Sequence, residues 1–457
     1  MKNVKITVSK DRLEAFMIIS DYDNLKLSDI VSAIQEAGLS YGIIGTNIKA
    51  AFDYKITDRL ILIARGIPPQ HGQDGFFEKL IEITPKPEPV FIEGDSDYFP
   101  VWITNVKKGQ KLFKITPHTQ GIPGISINGN PILARPGKPV KPIRGKNTRF
   151  SPYDSNYLVS EENGNLIWDE FRANVYPDYK VNGNLGFLNG NIFFIGNLIV
   201  TGNVNPGVTI KTGGNIEVWG NVEDSSLEAE GSINIRGGFF GKGNNSISAK
   251  GDITVSIVDN QTVKSLRNVY IRKECVNTKI SAFSVIAPDA SIFGGVISAF
   301  ETVEVKELGK SQNIITKVSI GSKLHKMNLI REIDKDIRML ENQIRILTEN
   351  ANSFFAKKMK TGFLTPDEEF DYLTTKDEIR DLAEKIKILI DRREYLVSKL
   401  NDRIHPRLIV YESIYPNVLL SINDLRMENS RIYSNSVFFE RDESIFRASL
   451  PKFKNLL

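Results

Sequence analysis

Five acids lie close together in one strand-rich stretch: Glu217, Glu223, Asp224, Glu228 and Glu230. Carboxylate pairs along a groove are what polysaccharide-cleaving β-helices use, one as acid and one as base or nucleophile. Here most of the five alternate with apolar residues, which puts them on the solvated face of short strands. His71, His118, His325 and His405 are scattered, with no ligand-like pair spacing. Cys275 is the single cysteine, so no internal disulfide is available, and no thiol-nucleophile signature accompanies it. The run Gly237-Gly238-Phe239-Phe240-Gly241-Lys242-Gly243 resembles a phosphate loop. It lacks the Gly-x-x-x-x-Gly-Lys-Ser/Thr spacing and opens no helix, so it reads as a corner. The residues therefore predict no catalytic centre, no metal and no cofactor.

The elements that would position such groups form a repeat. Apolar-x-apolar phrases punctuated by Gly or Asn begin at Leu198, Ile216, Ile233, Ile253, Val269, Val285 and Val303, in steps of 18, 17, 20, 16, 16 and 18. Strands this short cannot bury their apolar face alone, so the coils must stack and share one core. The fold class expected is mainly β with α, built on a central right-handed β-solenoid. Steps that vary from 16 to 20 exclude the strict six-residue period of hexapeptide acyltransferases.

Around this spine the texture changes in blocks. Residues 1–88 read as a small α+β domain: Val4, Ile6 and Val8 alternate, and a helix with Ile30, Ile34 and Ala37 on one face stops at Gly38. Residues 89–175 form a Gly/Pro-rich β domain after a linker at Pro85, Pro87 and Pro89, with Asn128-Gly129 as a hairpin turn. The solenoid takes residues 176–321, where Gly and Asn suit corners in left-handed conformation. Residues 322–403 carry two heptad seams: Ile330, Ile333, Ile337, Leu340, Ile344 and Leu347, then Ile379, Leu382, Ile386, Leu389, Leu396 and Leu400. A break spanning 350–367 makes them an antiparallel coiled-coil hairpin that projects from the solenoid. Arg393 on the second seam is either a snorkelling base residue or a register device. Residues 404–457 return as strands that cap the solenoid edge.

Lys+Arg 59 against Asp+Glu 55 leaves a net charge of only +4, which argues against a nucleic-acid binder. No run of about 18 apolar residues is present, so no membrane span is expected. The start Met1-Lys2-Asn3-Val4-Lys5-Ile6 alternates like a strand instead of resembling a signal peptide, and the cytoplasm is the default compartment.

Motifs in a fixed order then carry a resemblance. Ala64-Arg65-Gly66-Ile67-Pro68-Pro69 leads to Gly72-Gln73-Asp74-Gly75, and Asn105-Val106-Lys107-Lys108-Gly109-Gln110 follows. Glycine-punctuated rungs, the helical hairpin and Tyr415-Pro416-Asn417-Val418 complete the order. The chain resembles the bacterial flagellar assembly protein A family over nearly its whole length. It departs at Arg267-Asn268, Phe283-Ser284 and Glu301-Thr302, where family rungs carry glycines, and at Asn417, where glycine is usual. The resemblance implies a cytoplasmic, non-enzymatic scaffold for flagellar assembly or localisation at the cell pole, acting through other proteins. The expected contact residues are Pro68, Pro69, His71 and Asp74 in the Gly/Pro loop, and Phe354, Phe355 and Phe363 near the hairpin tip. A homo-oligomer remains open. The competing readings are a β-helix enzyme acting on polysaccharide and a bactofilin-like polymer, whose stacking the flanking domains would obstruct.

Overall fold

The computed structural model describes residues 3–82, 101–141, 143–169, 172–186, 191–310, 314–401 and 406–450. The linker expected at Pro85, Pro87 and Pro89 lies outside them. Two units are present, Met1–Leu80 with Phe113–Ile143, and Ile81–Leu112 with Arg144–Leu457.

In the first unit, Val4–Val8 pairs antiparallel with Glu14–Ile19, which pairs in turn with Ile61–Arg65. Helices α1 (Leu27–Glu36) and α2 (Gly45–Asp53) cover this sheet. The expected apolar face of α1 buries Ile30 and Ile34, and Gly38 ends it at φ 69°. Asn128-Gly129 turns the chain between Gly124–Ile125 and Pro131–Ile132.

The second unit holds the solenoid, and the seven repeat positions stack in one parallel ladder. Tyr179 pairs with Leu198, and the column continues through Ile216, Ile233, Ile253, Val269, Val285 and Val303 to Leu408. All of its members from Leu198 onward are buried in one continuous core. Past Leu408 the ladder changes sense. Arg407–Ile414 takes Tyr433–Arg441 antiparallel, and Val418–Ile422 takes Leu425–Asn429 antiparallel, so the parallel stack ends there. At the other end, Val101 and Ile103 pack on the solenoid core, and Asn105 donates to the Phe193 carbonyl at 2.9 Å.

The Gly-Asn phrase has a reason other than the expected one. Asn197 Oδ1 accepts the Asn215 N–H at 2.7 Å, and Asn215 Oδ1 accepts the Ser232 N–H at 2.8 Å. Ser232 Oγ and Asp252 Oδ1 continue the same column to Asn268. A parallel column links Asn184, Asn203, Asn221 and Gly238. Except at Asn268, which follows Arg267, each side chain bonds the next coil beside a glycine, and a Cβ on Gly214 would stand 2.3 Å from Asn197 Oδ1. These glycines do not have positive φ; they are needed for space. Left-handed geometry is confined to other corners, such as Asp224, Asn260 and Asn277. The run 237–243, expected to be a corner, is divided: Gly237 and Gly238 lie within Ile233–Phe240, and the bend follows at Gly241.

The helical insertion enters at one corner of one coil. Ala299 pairs with Ile320 and Thr302 with Arg407, so residues 321–406 stand where Phe300 and Glu301 stand in the preceding coil. Helices α3 (Lys323–Thr361) and α4 (Pro366–Asn401) fill this insertion. Nested ion pairs, Arg393–Asp334 at 2.6 Å near the root and Lys358–Glu369 at 3.2 Å near the turn, make them antiparallel. Arg393 thus bonds across to α3 at the hairpin's root.

Candidate interaction site

The hairpin's root sits on a ladder of apolar corner residues. Leu266, Phe283 and Phe300 occupy the same corner in successive coils, and the Phe283 and Phe300 rings stack 5.1 Å apart. Leu329, Ile330, Ile333 and Ile337 of α3 and Leu396 of α4 close over them. One coil earlier the corner is Lys250, which reaches Asp336 of α3 at 3.0 Å. Burial by itself would lower the Lys250 pKa, but Glu230 and Asp336 together hold it above its ordinary value. The departures at Phe283-Ser284 and Glu301-Thr302 fall at this docking corner.

His325 is buried, its Nε2 lies 3.0 Å from the Ala282 carbonyl, and burial depresses its pKa. Burial likewise lowers the Arg392 pKa, and its guanidinium lies 4.8 Å over the Phe283 ring.

The distal end of the hairpin does not project. Phe370, in the first turns of α4, is 3% exposed and packs between Tyr157 (5.4 Å) and Tyr153 (6.3 Å). Lys111 Nζ lies 4.2 Å from the Phe370 ring and 2.8 Å from Asp371 Oδ1. Lys108 pairs with Asp381 at 3.1 Å, and the Tyr153 hydroxyl donates to Asp377 at 2.7 Å. That hydrogen bond, with burial, raises the Tyr153 pKa. Tyr157 also donates to Asp367. Heptad spacing predicts two helices that pair, but says nothing of what else they touch. The signal that could have located this contact is the row of acids at 367, 371, 377, 378 and 381, one face of α4 at helical spacing.

Exposed ion pairs are worth about 0.2–1 kcal/mol each and are screened by salt, so the charged part of this latch adds to the Phe370 anchor but does not replace it. Reversing its charges, by contrast, sets three new carboxylates against the acids of α4. The variant carrying Lys107→Glu, Lys108→Glu and Lys111→Glu should free the distal hairpin and leave the root docked. Spin labels at positions 149 and 376 report it: a narrow distance distribution in the parent should broaden in the variant. Cys275 will not interfere, because burial pushes its thiol pKa up to about 12.

The turn is sharper than the expected 350–367 break. Helix α3 runs to Thr361, and Gly362 terminates it at φ 81°. Thr365 and Glu368 then cap α4 reciprocally: Thr365 N–H donates to Glu368 Oε2 at 3.0 Å, and Glu368 N–H to Thr365 Oγ1 at 3.3 Å. Phe354 is half-buried two turns before the end, Phe355 is 52% exposed, and Phe363 in the turn is 66% exposed.

The other predicted contact residues lie in the first unit. Pro68 and His71 are exposed and Pro69 is half-buried. The loop is stitched to residues 118–138: His71 Nδ1 accepts the Arg135 N–H at 3.1 Å, and Asp74 Oδ1 accepts the Lys138 N–H at 2.6 Å. Gly72 and Gly137 cross so closely that a Cβ on either would stand 2.0 or 1.9 Å from a backbone oxygen. The structure thus brings Pro68, Pro69, His71 and Asp74 together on one rigid strip. Phe354, Phe355 and Phe363 share the distal hairpin.

The five rung acids each have a local task or stand exposed. Glu217 pairs with Arg236, Glu228 with Lys211 and Glu230 with Lys250. Asp224 accepts the Lys242 N–H at a corner, and Glu223 is exposed. Among the described residues, no group of three or more His, Cys, Asp or Glu could hold a metal ion, and no helix is long and apolar enough to cross a membrane.

Comparison with known proteins bears on what this architecture is for. No curated protein and no solved structure matches the chain. The family model described as the Flagellar Assembly Protein A N-terminal region matches residues 4–170, and that of the Flagellar Assembly Protein A beta solenoid domain matches residues 177–445. With nearly every residue from the first sheet to the antiparallel closing strands covered, the chain belongs to the Flagellar Assembly Protein A family.

Proposed function

We propose that, within the flagellar-assembly role its family implies, this protein is a non-enzymatic scaffold that works through contacts with other proteins. The solenoid sets the geometry, and the contacts are made by the strip at Pro68, Pro69, His71 and Asp74 and by the distal hairpin at Phe354, Phe355 and Phe363. The observation that carries this reading is the exposure of Phe355 and Phe363 beside a turn, while Phe370 a few residues on is buried. Large aromatic side chains left in water at a helical turn suit protein contact. Ion pairing of Glu217, Glu228 and Glu230 to neighbouring coils speaks against a catalytic groove. The antiparallel strands beyond Leu408 speak against end-to-end polymerisation.

The test is a chromosomal Phe355→Ser, Phe363→Ser double variant, both sites being exposed enough to leave folding intact. Reduced motility and loss of a co-purifying protein present with the parent are expected. Unchanged motility with an unchanged set of co-purifying proteins removes the tip from the function. A fluorescent fusion imaged in the same strains tests placement at the cell pole.

A further inference from the structure

The near-neutral total charge hides a local asymmetry. From Tyr98 to Tyr153 the chain contains no Asp or Glu, against ten Lys and Arg. With 55 acids in 457 residues, about 7 would fall in those 56 positions at the average density. Part of this segment meets an acidic surface of the chain itself: Lys107, Lys108 and Lys111 hold α4 through Glu378, Asp381 and Asp371, with buried Phe370 as the apolar anchor.

Another part lies in the first unit, where no acid among the described residues covers it. Arg135, Lys138 and Lys141 are exposed and form no ion pair with any described residue. They follow Leu133, which is 82% exposed, along the chain that crosses residues 71–75. Ile122 (61% exposed) bridges Gln70 in the neighbouring segment, and Ile67 (48% exposed) bridges Ile125. Three segments thus make one strip, held rigid by the glycine crossings and bearing both cations and naked aliphatic side chains. A phosphate backbone has use for the cations alone. An acidic polypeptide with apolar anchors uses both.

We propose that this strip binds an acidic polypeptide segment, seating its carboxylates on Arg135, Lys138 and Lys141 and its apolar side chains on Ile67, Ile122 and Leu133. The proposal rests on the reading that the protein acts through protein contacts, and it gives the sign and texture of one partner surface. Rigid backbone crossings lower the ordering cost of binding, as the strip is already shaped.

The experiment is fluorescence anisotropy of a labelled 12-residue peptide alternating Glu with Leu and Phe, titrated with the full chain. Three competitors are titrated alongside: the Lys-for-Glu peptide, a Ser-for-Leu/Phe peptide, and a 12-nucleotide single-stranded RNA. The acidic apolar peptide should bind at least tenfold more tightly than each, and more weakly as salt rises. Arg135→Glu, Lys138→Glu, Lys141→Glu together should lose at least tenfold, as should Ile122→Ser with Leu133→Ser. Only backbone groups of Arg135 and Lys138 bond the fold, so the charge variant should keep the parent's circular dichroism and melting temperature. Lys107→Glu, Lys108→Glu, Lys111→Glu should retain peptide binding. The proposal is overturned if the charge variant binds like the parent, if binding is lost instead in the Lys107/Lys108/Lys111 variant, or if the RNA binds more tightly than the peptide. The Phe355→Ser, Phe363→Ser protein should bind the peptide unchanged, so failure here and failure of the tip reading are read separately.

Discussion

Phe300→Ala should detach the hairpin's root while leaving the solenoid intact. The Phe300 ring is fully buried, stacked on Phe283 and covered by the α3 residues Leu329, Ile330 and Ile333. Removing a buried phenylalanine ring costs about 3–5 kcal/mol, from lost transfer energy and the cavity left behind. That cost falls on one corner, because the hairpin enters at a single corner of a single coil and the ladder from Leu198 to Val285 does not depend on it. Hydrogen exchange is the measurement. Amides of residues 326–340 should lose protection by at least two orders of magnitude, and those of residues 233–287 should not. Equal loss in both would mean that the hairpin root and the rungs open as one unit, contrary to the arrangement described.

Gly214→Val should have a comparable effect on the solenoid itself. A Cβ at this position would lie 2.3 Å from Asn197 Oδ1 and 2.9 Å from Gly196 backbone atoms, and neither the backbone nor the bonded amide can move away without breaking the column. Overpacking of this kind costs about 3 kcal/mol at the upper end of its usual range, and the displaced Asn197–Asn215 hydrogen bond adds about 1 kcal/mol. Gly45→Ala is the control. A Cβ there meets nothing within 4 Å, so its urea midpoint should stay within the scatter of an ordinary surface change. A Gly214→Val midpoint equal to the parent's would show that the corner glycines are not needed for space.

These two residues also show what could be seen from sequence and what could not. The steps between Leu198 and Val303 reveal the ladder because a parallel stack needs the same apolar-x-apolar phrase in every coil, and burial enforces it locally. The reason for the Gly-Asn punctuation is less accessible. Glycine serves both left-handed corners and close approaches, and only the register between coils shows that Gly214 faces Asn197. Phe300 carries no mark in the sequence beyond preceding the irregular rung start Glu301-Thr302, since its partners in α3 lie about thirty positions away.

The contact residues divide in the same way. Heptad spacing identifies α3 and α4 and their turn, yet Phe355, Phe363 and Phe370 look alike in sequence, and only the last is buried, between Tyr153 and Tyr157. Total charge conceals the basic segment after Asp97 because acids elsewhere balance it. A windowed count would have exposed the segment, though not its division between an internal latch and an open strip.

From sequence alone came the solenoid, the helical hairpin, the closing strands and the family, each written in short-range periodicity and turn chemistry that local burial must obey. Where the hairpin lies, which aromatic residues remain in water and which lysines find acids were decided by tertiary structure, because each depends on a contact between residues tens to hundreds of positions apart. No local spacing encodes such a contact.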